Sequence, residues 1–312
     1  MSMFETLKPY LLDTPKPLIG AETIQLILIR EIHDFTVLRT EESRELNTVH
    51  TPLSITNKKS IRRVAFLASK QKAAETRELE HMLRTATNVS GIKVEECYLK
   101  DKLCLECPRC ALFGATSTES GRADKANIKH RIEYSTAFSL LPFEDISTAL
   151  TFNAIDDKTI TTGQALGTRF SVSPATIFPS IITLKSVTKE ELILAVKFLL
   201  SCKSYGAESR IGGDIRNSIM AVVAGWEEII TSLELTLELY DRKDNISFDV
   251  IHDILKTTYL PLAGNKNKVI ILNKQNVDSL ISECIDTELD KQFLEKAYGQ
   301  VKEYRKIQSG NK

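Results

Sequence analysis

The sequence carries no charge excess: 41 Lys and Arg stand against 41 Asp and Glu in 312 residues. It therefore lacks the uniformly basic composition with which nucleic-acid-binding proteins usually meet phosphate. It also lacks a long apolar run. Leu192 to Leu200 is too short and interrupted to cross a bilayer, and Met1 to Gly20 has no basic start followed by an apolar stretch, so a cytoplasmic protein without a membrane partner is expected. Four signatures of common chemistry are missing: G-x-x-x-x-G-K-[ST], G-x-G-x-x-G after a strand, H-E-x-x-H and G-x-S-x-G. His33, His50, His81, His130 and His252 are scattered, and no internal repeat is visible. These absences turn attention from catalysis to binding.

What is present is an ordinary globular composition, 42% hydrophobic and 26% charged, enough for one large or two modest domains. The neutral average hides an asymmetry. Thr56 to Lys72 carries Lys58, Lys59, Arg62, Arg63, Lys70 and Lys72 without an acid, and Arg122, Lys125, Lys129 and Arg131 face only Asp124. From Glu227 to Asp253 the balance reverses, with Glu227, Glu228, Glu234, Glu238, Asp241, Asp244, Asp249 and Asp253 against Arg242 and Lys243. A basic face for phosphate and an acidic face for a second copy follow as expectations, with plain solvated surface as the alternative.

The pattern along the chain predicts an α+β fold. Thr23 to Ile32 reads as a buried strand and Phe35 to Arg39 as a second extended stretch. The spacing of Ile61, Val64, Ala65, Leu67 and Ala68, then Leu79, Met82 and Leu83, predicts one or two basic helices over Ser60 to Leu83. Ala149 to Ala154, Ile160 to Thr162 and Thr168 to Val172 are strand candidates, the last two bracketing a Gly163 to Gly167 excursion. Thr188 and Glu191 form a capping box before the stripe Leu192, Ala195, Val196, Leu199 and Leu200. A glycine loop follows over Ser204 to Asn217, then a strand over Ser218 to Ala224. Ser232 to Tyr240 is of uncertain type, and Phe248 to Lys256 and Asp278 to Tyr304 are helical. The expected division is a first core part over 1–85, an inserted module over 86–128, the rest of the core over 129–225 and a mostly helical extension over 226–312.

The most specific local signal is Cys97, Cys104, Cys107 and Cys110, spaced C-x6-C-x2-C-x2-C. Four thiolates from so short a segment can surround one tetrahedral Zn2+ in a closed structural site. The intervening Lys100, Asp101, Lys102, Glu106 and Arg109 make no core, so metal would supply the folding energy. An iron–sulfur ligand set and disulfides are the alternatives. Cys202 and Cys284 fall on apolar helical patterns and read as core.

For nucleic acid, Lys58, Lys59, Arg62 and Arg63 can line a backbone groove. The glycine loop with Tyr205, Arg210, Arg216 and Asn217 can offer N–H groups, guanidinium forks and an aromatic face. Glu41, Glu42 and Glu45 could hold a divalent cation, although three loop carboxylates are more often solvated.

Leu46-Asn47-Thr48-Val49, Cys107-Pro108-Arg109-Cys110 continuing to Leu112-Phe113-Gly114, Tyr134 to Ser139, and Lys203 to Asn217 with its Ser209-Arg210-Ile211-Gly212 core together resemble a known family. So does Met3-Phe4-Glu5-Thr6-Leu7-Lys8-Pro9. The chain resembles Csc2, the type I-D branch of the Cas7 superfamily of CRISPR effector backbone subunits. The resemblance implies a ferredoxin-like core of the RNA-recognition-motif type, with a zinc-binding insertion, a hairpin or thumb-like insertion and a helical C-terminal extension. It implies copies lined up on CRISPR RNA beside a target DNA strand and other effector subunits, acting in antiviral defence. Asn47, Thr48, Lys58, Arg62 and Arg63, then Tyr205, Gly206, Arg210, Arg216 and Asn217, are the RNA-contact positions it implies. The aromatic signatures of ordinary RNA-recognition motifs are missing, which favours backbone cradling over base stacking on the sheet. The alternative function is a metal-dependent nuclease cutting target strands at regular intervals, with Glu41, Glu42 or Glu45 as its carboxylate.

Overall fold

The computed structural model describes residues 2–40, 45–99, 102–116, 127–156, 158–159 and 161–310. In chain order the first half forms α1 (Met3–Leu7), β1 (Thr23–Ile32), β2 (Thr48–Pro52), β3 (Ser60–Phe66), α2 (Ala68–Ser90), α3 (Pro108–Phe113), β4 (Ala115–Thr116), β5 (Asn127–Ile128), β6 (Ile132–Tyr134), β7 (Ala137–Phe138) and α4 (Phe143–Ile146). The second half forms β8 (Ser147–Asp156), β9 (Thr161–Val172), β10 (Ile177–Lys185), α5 (Lys189–Ser201), β11 (Ile215–Gly225), α6 (Ser232–Tyr240), α7 (Phe248–Ile254), β12 (Ile270–Ile271), α8 (Lys274–Asp286) and α9 (Lys291–Ser309). The expected α+β class holds, with antiparallel sheets throughout. No described helix is long and apolar enough to cross a membrane.

The main sheet has the order β12-β11-β1-β10-β6. Its centre is β1, whose near-continuous apolar run is what a strand covered on both faces requires. Ile24, Leu26 and Leu28 pack towards α2 and α5, whereas Ile27 and Ile29 pack towards α6 and α7. Neither face of this sheet is left open for a stacked base. The Thr188–Glu191 capping box starts α5 as expected.

A third core joins a small β2-β3-β7 sheet, the base of the β8–β9 hairpin and the glycine loop through Val64, Phe66, Val172, Tyr205 and Ile215. Here the structure corrects the sequence reading. Ser60 to Phe66 is a strand and not part of a basic helix, because its backbone finds partners in β2 and, at Ala65 and Phe66, in β7. The helix begins only after Leu67. Residues 163–167 continue β9 instead of looping out, and Arg216 and Asn217 lie in β11, not in the loop before it. Phe35 to Arg39 makes only isolated bridges, Thr36 to Val172 and Val37 to Ala207. The long C-terminal helical pattern is two helices, the second capped by Asp290.

A charged cluster sits towards the C-terminal end of β1. Arg30 and Glu75 are both 0% exposed and pair at 2.7 Å. The Arg30 guanidinium also donates to Ser180 Oγ, Tyr205 Oη and Asn217 Oδ1, while the Tyr134 and Tyr205 hydroxyls donate to the Glu75 carboxylate. Burial alone would lower the Arg30 pKa; the Glu75 carboxylate, with Tyr205 and Tyr134, more than offsets this, and the net shift is upward. Breaking such a pair leaves one buried charge unmatched. Glu75→Gln is therefore expected to lower unfolding stability by about 3–5 kcal/mol, whereas Glu144→Gln, which breaks the exposed pair with Arg62, should cost less than about 1 kcal/mol. Urea unfolding of the two variants checks the contrast; equal losses would contradict it.

Candidate metal centre and nucleic-acid interface

The Cys97, Cys104, Cys107 and Cys110 sulfurs converge within 4.8 Å of one another, three of the residues being buried. Local backbone chemistry puts them there. Leu105 adopts φ +61°, which turns the chain sharply between Cys104 and Cys107. The Glu106 N–H donates to Cys104 Sγ and the Cys110 N–H to Cys107 Sγ, each at 3.4 Å. Cys107 is also the N-cap of α3, and Pro108 follows it at the first helical position, where a missing N–H costs nothing. Leu105, Ala115, Ile128 and Tyr304 pack around the sulfurs, with Tyr298 beside them. The last helix thus closes over the module formed by the cysteines.

This donor set fits a single ion. Bonds of ~2.3 Å in a tetrahedron place sulfurs about 3.8 Å apart; Cys97 and Cys110 stand at 3.5 Å. A cluster of several irons bridged by sulfide would hold its thiolates farther apart. All six cysteines are free thiols, so no disulfide forms. The four thiols divide in the absence of metal: hydrogen bonds from Cys104 and Cys107 draw Cys97 down to about 7 and draw Cys110 lower still, while Cys104 and Cys107 are pushed up. Thiolates are the form a metal takes. Among the described residues no other group of three or more His, Cys, Asp or Glu gathers in this way. Glu45 is exposed, and Glu41 and Glu42 lie outside the described residues, as do Lys100, Asp101, Arg122 and Lys125.

The eleven residues expected at RNA divide into two sets. Arg63 is 0% exposed, and its guanidinium donates to Thr51 Oγ1 and to the carbonyls of Leu53, Ser139 and Leu140. Burial pushes its pKa down to about 10, with Tyr240 acting in the opposite direction. Tyr205 and Asn217, 1% and 3% exposed, belong to the Arg30–Glu75 cluster. The expectation that these three side chains face RNA is corrected: each is held by internal partners. Lys58, Lys59, Arg210 and Arg216 are exposed, as is Thr48, and Asn47 is half-buried. Arg62 is partly exposed, pairing with Glu144 at 3.0 Å and lying 3.9 Å over the Phe143 ring. Gly206 is required by close backbone approach, since a Cβ there would lie 2.7 Å from the Val37 carbonyl oxygen, at φ +84°.

The acidic segment also differs from expectation. Glu234 closes the capping box of α6 and Glu238 is buried against Arg242, so neither is a free surface charge. Thr56 donates to Asp241, and the Ile55 N–H to the Leu237 carbonyl, so α6 lies against the basic turn and not opposite it. Arg109 and Tyr298 were not singled out from the sequence as parts of the site. The cation inside C-P-R-C is a signal that could have found Arg109; nothing local marks Tyr298.

If the thiolates hold one ion, the purified chain should contain one equivalent of a thiolate-binding divalent metal, and Cys107→Ala should lose it. Hydrogen exchange should then quicken in Cys104 to Thr116 while β1 amides stay protected. Unchanged metal content in the variant would contradict the assignment.

Comparison with known proteins follows the geometry. The family model described as Csc2 Crispr matches residues 7–308. The crystal structure of Thermofilum pendens Csc2 superposes with a TM-score of 0.67 at 20% identity, covering 98% of each chain. A chain of a CRISPR RNA-guided surveillance complex gives a TM-score of 0.47 at 12% identity over 82% of this chain and 92% of its own. A search of curated proteins found no match. With its family model spanning nearly the whole length, the chain belongs to the Csc2 CRISPR family.

Proposed function

We propose that the chain is a non-catalytic, guide-RNA-binding backbone subunit of a type I-D CRISPR effector complex, acting in the cytoplasm in antiviral defence. The observation that carries this reading is the family match over residues 7–308. Copies would line up along CRISPR RNA, with target DNA beside the guide and other effector subunits at the ends. The strand order β11-β1-β10-β6 supports a ferredoxin-like core: α2 lies between β1 and β6 in the chain, and α5 between β10 and β11. On this reading β8–β9 is the thumb-like insertion, 86–128 the zinc-binding insertion and 226–312 the helical extension.

The covered sheet favours contact with the RNA backbone, since α6 and α7 occupy the face on which an ordinary RNA-recognition motif stacks bases. Guide pairing then reads the target while the protein holds phosphate and sugar. Lys58, Lys59, Arg210 and Arg216 are the exposed cations for that task; Asn47, Thr48, Arg62 and the backbone at Gly206 complete the surface. The four cysteines hold structural Zn2+, which would tie α3 to its loop and take no part in a reaction.

The test is the number of copies bound to single-stranded RNAs of increasing length, with a Lys58→Ala/Lys59→Ala/Arg210→Ala/Arg216→Ala variant alongside. Bound copies should rise in even steps with length. The variant should bind more weakly, its log K against log salt slope shallower by about 0.7 for each phosphate contact removed. A single copy at every length, or an unchanged salt slope, would overturn the reading.

A further inference from the structure

We infer that Arg109 is the counter-charge of the metal centre, a positioning residue that makes four closely packed thiolates tolerable in a buried site. The inference rests on the metal reading and goes beyond it, from the ligands to what surrounds them.

A divalent ion with four thiolates is a doubly negative centre, and three of these four cysteines are buried. Charge removed from water needs hydrogen bonds or an opposite charge nearby. Two backbone N–H groups supply the first kind of support, at Cys104 and Cys107. The guanidinium that approaches the sulfurs is Arg109, whose Nη1 stands 3.8 Å from Cys110 Sγ.

Arg109 itself poses the converse problem. It is 4% exposed, its Nε is buried without a hydrogen-bond partner, and no carboxylate among the described residues lies within ion-pair reach of it. A buried guanidinium with no carboxylate is costly unless something else carries the negative charge. Nearby Lys72 cannot: it is a second cation, and its own pKa is lowered by burial and then by Arg109. The Cys110 sulfur is the acceptor in reach, and the metal–thiolate centre supplies the missing charge. Arg84, the other guanidinium at this end of the molecule, differs on each count. It is exposed, pairs with Glu80 at 2.8 Å and reaches only the Cys97 carbonyl.

The sequence makes the arrangement local. Arg109 lies inside C-P-R-C, so the turn that brings Cys107 and Cys110 together also delivers the cation. Groups around metal ligands commonly change affinity by 10–100-fold when removed.

The experiment is Zn2+ competition against a chromophoric chelator with the full chain, comparing wild type with Arg109→Met, Arg109→Lys and Arg84→Met. Arg109→Met should bind Zn2+ about 10–100-fold more weakly. Arg109→Lys should recover most of the loss, and Arg84→Met should match wild type. The Co2+-loaded Arg109→Met protein should keep the thiolate-to-metal charge-transfer bands of wild type, showing that charge was lost and not a ligand. Wild-type affinity in Arg109→Met, or an equal loss in Arg84→Met, would overturn the inference. A wild-type chain that takes up no Zn2+ or Co2+ would instead overturn the metal reading beneath it. If Arg109→Met fails to fold, Arg109→Gln against Arg109→Lys carries the same comparison, and equal affinities there would count against the role.

Discussion

Arg131 and Glu191 form a buried ion pair in which both guanidinium ends meet the carboxylate, and the placement of the cysteine module depends on it. The same guanidinium donates to the carbonyls of Ser186 and Ala111, and the Glu191 carboxylate also receives the Thr188 N–H at the start of α5. One pair therefore joins the last turn of α3 to the β10–α5 connection and the capping box. Its net contribution to stability is small next to its contribution to geometry, because desolvation offsets much of the attraction. What it provides is a single position for α3. Gln300 of α9 acts in parallel, donating to Glu190 and accepting from Thr188, and this seats the C-terminal helix so that Tyr298 and Tyr304 cover the sulfurs.

The same logic sorts the cations of this neutral chain. Arg30, Arg63, Arg109 and Arg131 are interior residues, each held by carboxylates, carbonyls or sulfur. At Arg30, Arg63 and Arg131 a planar fork with several donors meets several partners, and Lys would not replace it there. Lys58, Lys59, Arg210 and Arg216 stay outside. The interior set is committed to the fold and the exterior set is left at the surface, so counting both together obscured the surface chemistry.

This division also explains what was legible in the sequence. The cysteine spacing and the Thr188–Glu191 box are local patterns, and both are seen in the structure. The β3 segment was read as helical because Ile61, Val64, Ala65 and Ala68 satisfy helical spacing; the decision belonged to β2 and β7, partners that periodicity does not reveal. Arg63, Tyr205 and Asn217 have the residue types of a nucleic-acid surface, yet their roles are set by groups far along the chain. Arg63 meets a carbonyl 76 positions away and Tyr205 meets Arg30 across 175. Residue type suggests chemistry; only the fold says which partner receives it.

Neutral net charge is then no obstacle to holding RNA. Screening at physiological ionic strength confines exposed charges to an influence of about 8 Å, so a phosphate responds to the cations beside it and not to the molecular sum. Much of the acidic segment is already committed: Glu227 binds the N–H groups of Gly264 and Asn265, Glu228 pairs with Lys185, Glu234 caps α6, and Glu238 pairs with Arg242. Glu228 and Glu238 are matched by Lys185 and Arg242, whereas Glu227 and Glu234, held by neutral N–H groups, keep their charge. The exposed charges of the β2–β3 turn are Lys58 and Lys59, and at the glycine loop Arg210 and Arg216 stand beside Asp214 and a Glu208 that is already paired with Arg39 and Arg169. Exposed cations at the β2–β3 turn, on the glycine loop and at the start of β11, packed around one core, can attract phosphate there while the total charge is zero.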